Sequence, residues 1–456
     1  MKLKRRDFVK SGAGTFAIAA AGRAIGDGAP SNRVRVAIMG CHEKGRGKQL
    51  LNIFTSYADV ATVCDVDSRA RDFAADFVHN HPKQGGIVPK KEKDIRKVLE
   101  DKSIDAVVIA TPDHWHAPAA NMAMKAGKAV YVEKPCSYCP REGEILVKTQ
   151  KETGMVFQMG IQRRSTVEFQ AAIKDIEAGC IGRPFWAKCW YMCGRGPVHR
   201  KPAQVPDWLD WDLWQGPAPR REFHEDIVHY GWHWWKHWGT GECGNNATHF
   251  VDIGRWALGA DYPERITCGG GLFGDKGDFE WFDVQNITYE FPGRRMMTWE
   301  GVSISSIKPY MDWVTGCILY GTKGAVVFGP GSQCFQLSAA GITREDRRNG
   351  ITGKVVKEWS RKSMLESSGQ LSFTNPTGDL DKGHMGNFID AVRAHNPNTV
   401  APADVAHKST LLTHLGNIAL RTGETIRMDA TTGQLAKGSP GADMWSREYE
   451  KGWEMA

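Results

Sequence analysis

Three groups of residues have the types and spacing of a reaction site. The first is the run from Gly40 to Gly47, which carries His42, Gly45 and Arg46 and is followed by Asp65. A glycine-rich turn between a strand and a helix lets the backbone approach a pyrophosphate, which then sits on the positive helix end. A carboxylate about 20 residues further on accepts hydrogen bonds from the adenosine ribose hydroxyls and repels a 2′-phosphate. That chemistry is dinucleotide binding, with NAD favoured and NADP left open by the nearby Arg69. The turn departs from G-x-G-x-x-G: Gly40 and Gly45 hold the first and third places but His42 holds the second, and an alignment through Gly45 and Gly47 implies a longer loop. The second group, Thr111, His114, His116, Glu133 and Lys134, follows the ends of two apolar runs. The third, Asn245, His249 and Asp252, falls at i, i+4 and i+7 on one helical face, with Glu242 one turn back.

The elements that must position these groups follow from the apolar pattern. Ala106 to Ala110 is an unbroken apolar run, Ala117 to Ala126 has helical periodicity and ends at Gly127, and a second apolar run stops at Glu133-Lys134-Pro135. Apolar runs without alternation suit parallel strands covered on both faces. The flanking chain repeats the alternation, from a first strand at residues 33–39 to a last short one near 155–160, with a helix from Pro140 to Thr153. Residues 32–162 are therefore expected to form a doubly wound parallel sheet of the Rossmann type, with Thr111 and Pro112 along the cofactor and His116 beneath it. For His114 and His116, helix capping and packing are at least equal alternatives.

Glu133-Lys134-Pro135, preceded by Ala110-Thr111-Pro112 and by Met124-Lys-Ala-Gly-Lys128, resembles the Gfo/Idh/MocA family of nicotinamide-dependent sugar and polyol oxidoreductases, and the likeness covers most of the chain after residue 31. The resemblance implies that Lys134 holds the substrate hydroxyl beside the nicotinamide, with Glu133 and Pro135 shaping the turn. It also implies that His249 is the acid/base. The aspartate that relatives carry four residues earlier is Asn245 here, which leaves open what orients His249. Hydride transfer needs a base for the alcohol proton and a cation for the developing alkoxide, and His249 and Lys134 fill these roles; Lys134 as the base is the other assignment. The expected cofactor contacts are Gly40, His42, Gly45, Arg46, Asp65, Thr111, Pro112, His116, Glu133 and Lys134. The expected substrate contacts are Arg163, Tyr191, Trp232, His233, Asn245 and His249, and no metal is expected.

Residues 163–430 form the expected substrate half, an α+β domain with a large, open, mostly antiparallel sheet. Tryptophans crowd residues 186–238, and Tyr230 to Gly239 has no single period, which suits a carbohydrate pocket or, alternatively, a tryptophan-rich subunit interface. Val284 to Phe291 with Arg294 to Glu300, and Gly316 to Gly321 with Ala325 to Phe328, read as hairpins of a sheet whose other face packs on a partner in a homodimer or homotetramer. Residues 335–380 read as outward loops. Helices are expected from His384 to Arg393 and from Val405 to Arg421, and residues 431–456 as a tail wrapping a neighbour.

The first 29 residues stand apart. Lys4-Arg5-Arg6-Asp7-Phe8 leads into a short, mildly apolar segment that is too interrupted to span a bilayer and resembles a twin-arginine export signal. Lys2, Lys4, Arg5, Arg6, Lys10 and Arg23 outweigh Asp7 and Asp27 by four, so four of the chain's seven net positive charges lie there, and no basic stripe suggests nucleic acid. The eleven scattered cysteines read as buried thiols. The expectation is a protein exported folded through the twin-arginine translocase to the periplasm, with no membrane span in its mature form. Its dinucleotide would be tightly bound and regenerated within the same site, and it would oxidise a sugar or glycoside, with C3 of a glycoside favoured. The alternatives are an NAD-dependent glycoside hydrolase working by oxidation, elimination, addition and reduction, and a non-catalytic periplasmic carbohydrate-binding protein.

Overall fold

The computed structural model describes residues 33–308, 310–348, 353–360 and 380–455. The segment read as an export signal lies outside the described residues. No helix among them is long and apolar enough to cross a membrane.

The strands β1 (Arg35–Met39), β2 (Asp59–Cys64), β3 (Lys90–Glu92), β4 (Ala106–Ile109), β5 (Ala129–Val132) and β6 (Phe157–Met159) form one parallel sheet in the order β3-β2-β1-β4-β5-β6. Every residue of β4 and β5 is buried, as an apolar run covered on both faces requires. Strand order reverses between β1 and β4, which opens a crevice beyond their carboxyl ends. The helix after β4 spans Asp113–Lys125; it includes Trp115 and His116, the expected first residues, and begins two residues before them. Its Pro118 has no N–H for the His114 carbonyl four residues back, and that oxygen accepts instead from Arg447 Nη2 at 2.7 Å.

The second sheet has ten strands: β7 (Pro184–Met192), β8 (Arg265–Gly271), β9 (Val284–Phe291), β10 (Arg295–Val302), β11 (Thr315–Gly321), β12 (Gly324–Phe328), β13 (Cys334–Ser338), β14 (Lys354–Glu358), β15 (Ile426–Asp429) and β16 (Gln434–Leu435). Their order is β14-β13-β12-β11-β7-β10-β9-β8-β15-β16, and only β7 and β10 pair in parallel. The helices Val167–Glu177, Thr248–Leu258 and Ala403–Thr422 cover one face, with Phe169, Phe250, Leu412, Tyr289 and Trp299 in the shared core. Both expected hairpins are present.

Three expectations change. Residues 335–380 are not all loop: β13 and β14 extend the sheet, and β14 escaped notice because all five of its residues are exposed. The helix Leu380–Arg393 belongs with the first sheet, where Met385, Phe388 and Ile389 pack with Leu50, Phe54 and Tyr131. The final segment lies on its own chain. Arg447 pairs with Glu142 at 2.6 Å, Trp445 Nε1 donates to Glu144 at 2.8 Å, and the Trp453 and Trp115 rings meet edge to face at 5.0 Å.

One buried ion pair ties the turn after β6 to the helix Thr248–Leu258. Arg164 Nε and Nη2 reach both Asp252 carboxylate oxygens at 2.8–3.0 Å, Ser409 Oγ donates to the same carboxylate at 2.6 Å, and neither charged side chain is more than 9% exposed. Removing one member strands the other charge away from water. Asp252→Ala is therefore expected to lower stability by about 3–5 kcal/mol, measured as a fall in the urea unfolding midpoint, with Asp252→Asn costing less.

Candidate active site

The crevice between β1 and β4 opens into a cavity of about 380 Å³. Gly40, at φ +86°, lies so close to the following strand that a Cβ would stand 2.6 Å from the Ala110 carbonyl oxygen. Gly47 packs as tightly on the Gly40 carbonyl, while the space beside Gly45 (φ +107°) is open. His42 accepts the Lys44 N–H through Nδ1 at 3.0 Å. Asp65 closes β2; its oxygens accept from the backbone N–H groups of Cys41 and Asp67 at 2.7 and 2.9 Å, and burial raises its pKa. Each oxygen keeps a lone pair for a further donor. Thr111 Oγ1 is buried on this wall without a partner. A tight glycine turn, a carboxylate with capacity left and an unsatisfied hydroxyl fit a dinucleotide, which Gly40, Gly45, Asp65 and Thr111 would hold.

Between β2 and β5 lie β1 and β4, so at about 4.8 Å per strand the Asp65 and Lys134 ends of the cavity are about 14 Å apart. Arg46 spans part of that distance, with Nε 3.2 Å from Glu133 and Nη2 2.9 Å from Asp381. Lys134 Nζ donates to the Asn245 backbone oxygen and, at 2.7 Å, to its side-chain oxygen. Burial lowers the Lys134 pKa, and the charges of Glu133 and Asp113 oppose this. His249 is half-buried, with a buried and unpartnered Nδ1; desolvation first, then the Lys134 charge, hold its pKa well below the usual value. The imidazole is therefore a neutral base close to a half-buried ammonium group.

Gly40, His42, Gly45, Arg46, Asp65, Thr111, Pro112, Glu133, Lys134, Trp232, His233, Asn245 and His249 all line this cavity. Others do not. His116 ties two loops together, Nδ1 to the Pro135 carbonyl at 2.6 Å and Nε2 to that of Thr111 at 2.7 Å, and His114 Nε2 meets the Trp214 carbonyl at 2.9 Å. The half-buried Arg163 guanidinium lies over the Phe250 ring at 4.2 Å, and Tyr191 lies on β7 outside the cavity lining. Asp252 is taken up by Arg164, so only two of the three residues expected on one helical face reach the site; a π-helical turn at Cys243–Ala247 places Asn245 outside regular i, i+4 geometry. Of the nine tryptophans in residues 186–238, five (Trp211, Trp214, Trp232, Trp235 and Trp238) are buried in one aromatic core, and of these only Trp214 and Trp232 also line the cavity.

Sequence reasoning missed Asp113 and His229, which also line the cavity. Asp113 accepts from Thr240 N at 3.0 Å and Oγ1 at 2.6 Å, and its place directly after Thr111-Pro112 was the available signal. His42, Asp67 and His229 have metal-ligand identities at close range, but the two imidazoles stack at 3.6 Å and 12°. Ring nitrogens bind in the ring plane, so parallel rings cannot direct both lone pairs at one ion. A larger cavity of about 800 Å³, lined by Arg200, Arg221, Trp235 and Trp238, holds none of the expected site residues.

Two family models match the chain. Residues 34–161 match the oxidoreductase family's NAD-binding Rossmann fold and residues 175–313 its C-terminal alpha/beta domain. The chain is 34% identical over 160 residues to scyllo-inositol 2-dehydrogenase (NAD(+)) of Bacillus subtilis, covering 34% of this chain and 44% of that protein. It is 28% identical over 166 residues to levoglucosan dehydrogenase of Pseudarthrobacter phenanthrenivorans (36% of each) and 32% identical over 192 residues to a glycosyl hydrolase family 109 protein of Stenotrophomonas maltophilia (40% of each). Each alignment thus spans less than half of the relative. In fold, the chain is similar to levoglucosan dehydrogenase in complex with NADH and levoglucosan (TM-score 0.63, 18% identity, 86% of this chain and 99% of that one). It is also similar to an oxidoreductase domain protein from Kribbella flavida (TM-score 0.65, 15% identity, 86% and 98%). With its cofactor and C-terminal domains both matched, over more than half of its length, the chain belongs to the Gfo/Idh/MocA oxidoreductase family.

Proposed function

We propose that this protein is an NAD-dependent dehydrogenase of a sugar, glycoside or cyclic polyol, exported in folded form. The observation that carries the reading is the convergence of Lys134, Asn245 and His249 on the cavity that also holds the glycine turn and Asp65. A substrate hydroxyl between Lys134 Nζ and His249 would gain a cation for its developing alkoxide and a neutral base for its proton. The nicotinamide, when bound, supplies the hydride acceptor. Asn245 fixes Lys134 without adding charge, and Trp232 and His233 supply ring faces for a sugar's C–H groups. Asp65 supports NAD over NADP, because a 2′-phosphate would meet its carboxylate. The basic run Lys4-Arg5-Arg6 supports export.

With NAD supplied, a simple glycoside or inositol is expected to raise the near-ultraviolet band of reduced nicotinamide. Lys134→Ala and His249→Ala should each slow this by about 10²–10⁴-fold while NAD binding persists. Unchanged turnover in either variant would remove its assigned role. Asn245→Asp places a carboxylate where an amide oxygen now stands 2.7 Å from Nζ and so raises the Lys134 pKa. The alkaline limb of the kcat/KM profile should then move to higher pH; an unmoved limb would show that Lys134 does not act as the cation.

A further inference from the structure

The cavity of about 800 Å³ lined by Arg221 and Trp238 has about twice the volume of the active one and shares no lining residue with it. Residues from 200 to 238 supply most of its wall, and Tyr138, Glu280, Arg447 and Glu448 complete it. Trp214 lines the active cavity and Trp238 the larger one, and their rings meet edge to face at 5.6 Å. The aromatic core of this stretch therefore has a separate space on either side.

The wall of the larger cavity is short of partners. Trp238, 3% exposed, has Nε1 buried without an acceptor. The Arg447 side chain is 8% exposed; Glu142 and the His114 carbonyl take up Nη2, while Nε and Nη1 are buried and unpaired. Native proteins leave few buried donors in that state. Arg221, which is exposed, gives Nε to His237 Nδ1 at 3.2 Å, and its two terminal nitrogens have no partner among the described residues. Acceptors stand beside these donors. Glu222 and Glu448 are exposed and accept no hydrogen bond among the described residues, and Glu280 accepts from Lys236 N at 2.8 Å and Arg200 Nη2 at 3.4 Å.

Charge in the wall is close to balance. Arg447 is met by Glu142 at 2.6 Å and Arg220 by Asp212 at 3.6 Å, which leaves Arg200 and Arg221 against Glu222, Glu280 and Glu448. Unpaired donors next to unpaired acceptors, without a large net charge, suit groups that both give and accept a hydrogen bond. Hydroxyl groups do both. Pro202, Pro219 and the Trp238 ring add apolar surface for C–H groups.

We propose that this cavity is a second, non-catalytic carbohydrate site that takes a neutral oligosaccharide. Hydroxyl oxygens of the sugar accept from Arg221, Trp238 and Arg447, and its hydroxyl hydrogens go to Glu222 and Glu448. The site goes beyond the dehydrogenase reading and does not depend on it, since none of its residues lines the active cavity. Its use is to hold the protein on a glycan while the active cavity stays free.

The test is isothermal titration calorimetry of the full chain with maltotriose, cellotriose and xylotriose, and with trigalacturonate as a charged counterpart. At least one neutral trisaccharide should bind saturably. Arg221→Ala should weaken that binding by at least about tenfold, the scale of a lost hydrogen bond to a charged group. Trp238→Phe keeps a ring but removes the N–H, and should weaken it by about threefold. Lys134→Ala should bind as the parent does. The site is overturned if no neutral sugar binds saturably, if trigalacturonate alone binds, or if Arg221→Ala and Trp238→Phe both bind like the parent. Binding lost in Lys134→Ala places the sugar in the active cavity and overturns it equally. Arg221→Ala, checked for folding by circular dichroism, should reduce NAD with a simple glycoside at the parent rate. Trisaccharide binding without NAD reduction in parent and variant alike removes the dehydrogenase reading and keeps this site.

Discussion

Drawing an ammonium group partly out of water is costly, and the contacts around the half-buried Lys134 offset that cost. Two oxygens of Asn245 accept from Nζ, and Glu133 and Asp113 supply negative charge nearby. Each is held in turn: Glu133 by Arg46, Asp113 by Thr240, and Asn245 by a π-helical turn. The same chain of contacts fastens the dinucleotide turn, through Arg46, to the end of β5 and to Asp381. On the proposed reading, a cation held in this way would meet a developing alkoxide without reorganisation, which is where such sites gain most.

Where this chain departs from the family pattern, it replaces one polar solution by another. Asn245, where the resemblance expects an aspartate, gives both of its oxygens to Lys134 Nζ without adding negative charge. His42 stands where the glycine pattern has its second glycine, and its ring stacks on His229. Together they make the cavity less acidic beside Lys134 and more crowded beside Asp65. The fold tolerates both changes because neither position carries a backbone conformation that demands the family residue; Gly40 and Gly45, which have positive φ, are retained.

Much of the first domain could be read from sequence because its signals are local. The unalternated strands, the Pro140 start and Gly154 end of one helix, and the Glu133-Lys134-Pro135 turn all fall where the pattern puts them. The reach of single side chains was harder to read. His116, Arg163 and Tyr191 have the right chemistry but are spent on loops and packing, which sequence separation does not reveal. Asp252 shared a nominal helical face with His249 until the π-helical turn and the pull of Arg164 separated their roles. His229 had no motif to mark it, because its significance lies in two residues more than 150 positions earlier.

The helix Leu380–Arg393 and the segment carrying Trp445 and Arg447 pack on the first sheet although they follow the second domain in the chain. The ribosome therefore makes the two sides of the cofactor domain at opposite ends of synthesis. Until residues past 380 emerge, the apolar surface around Leu50 and Phe54 has no cover, and the carbonyl freed by Pro118 has no donor. The nucleotide-binding half, although first in the sequence, is in this sense the last part of the molecule to be completed. A cut between the domains at the residue where the sequence pattern changes would divide a single core rather than separate two.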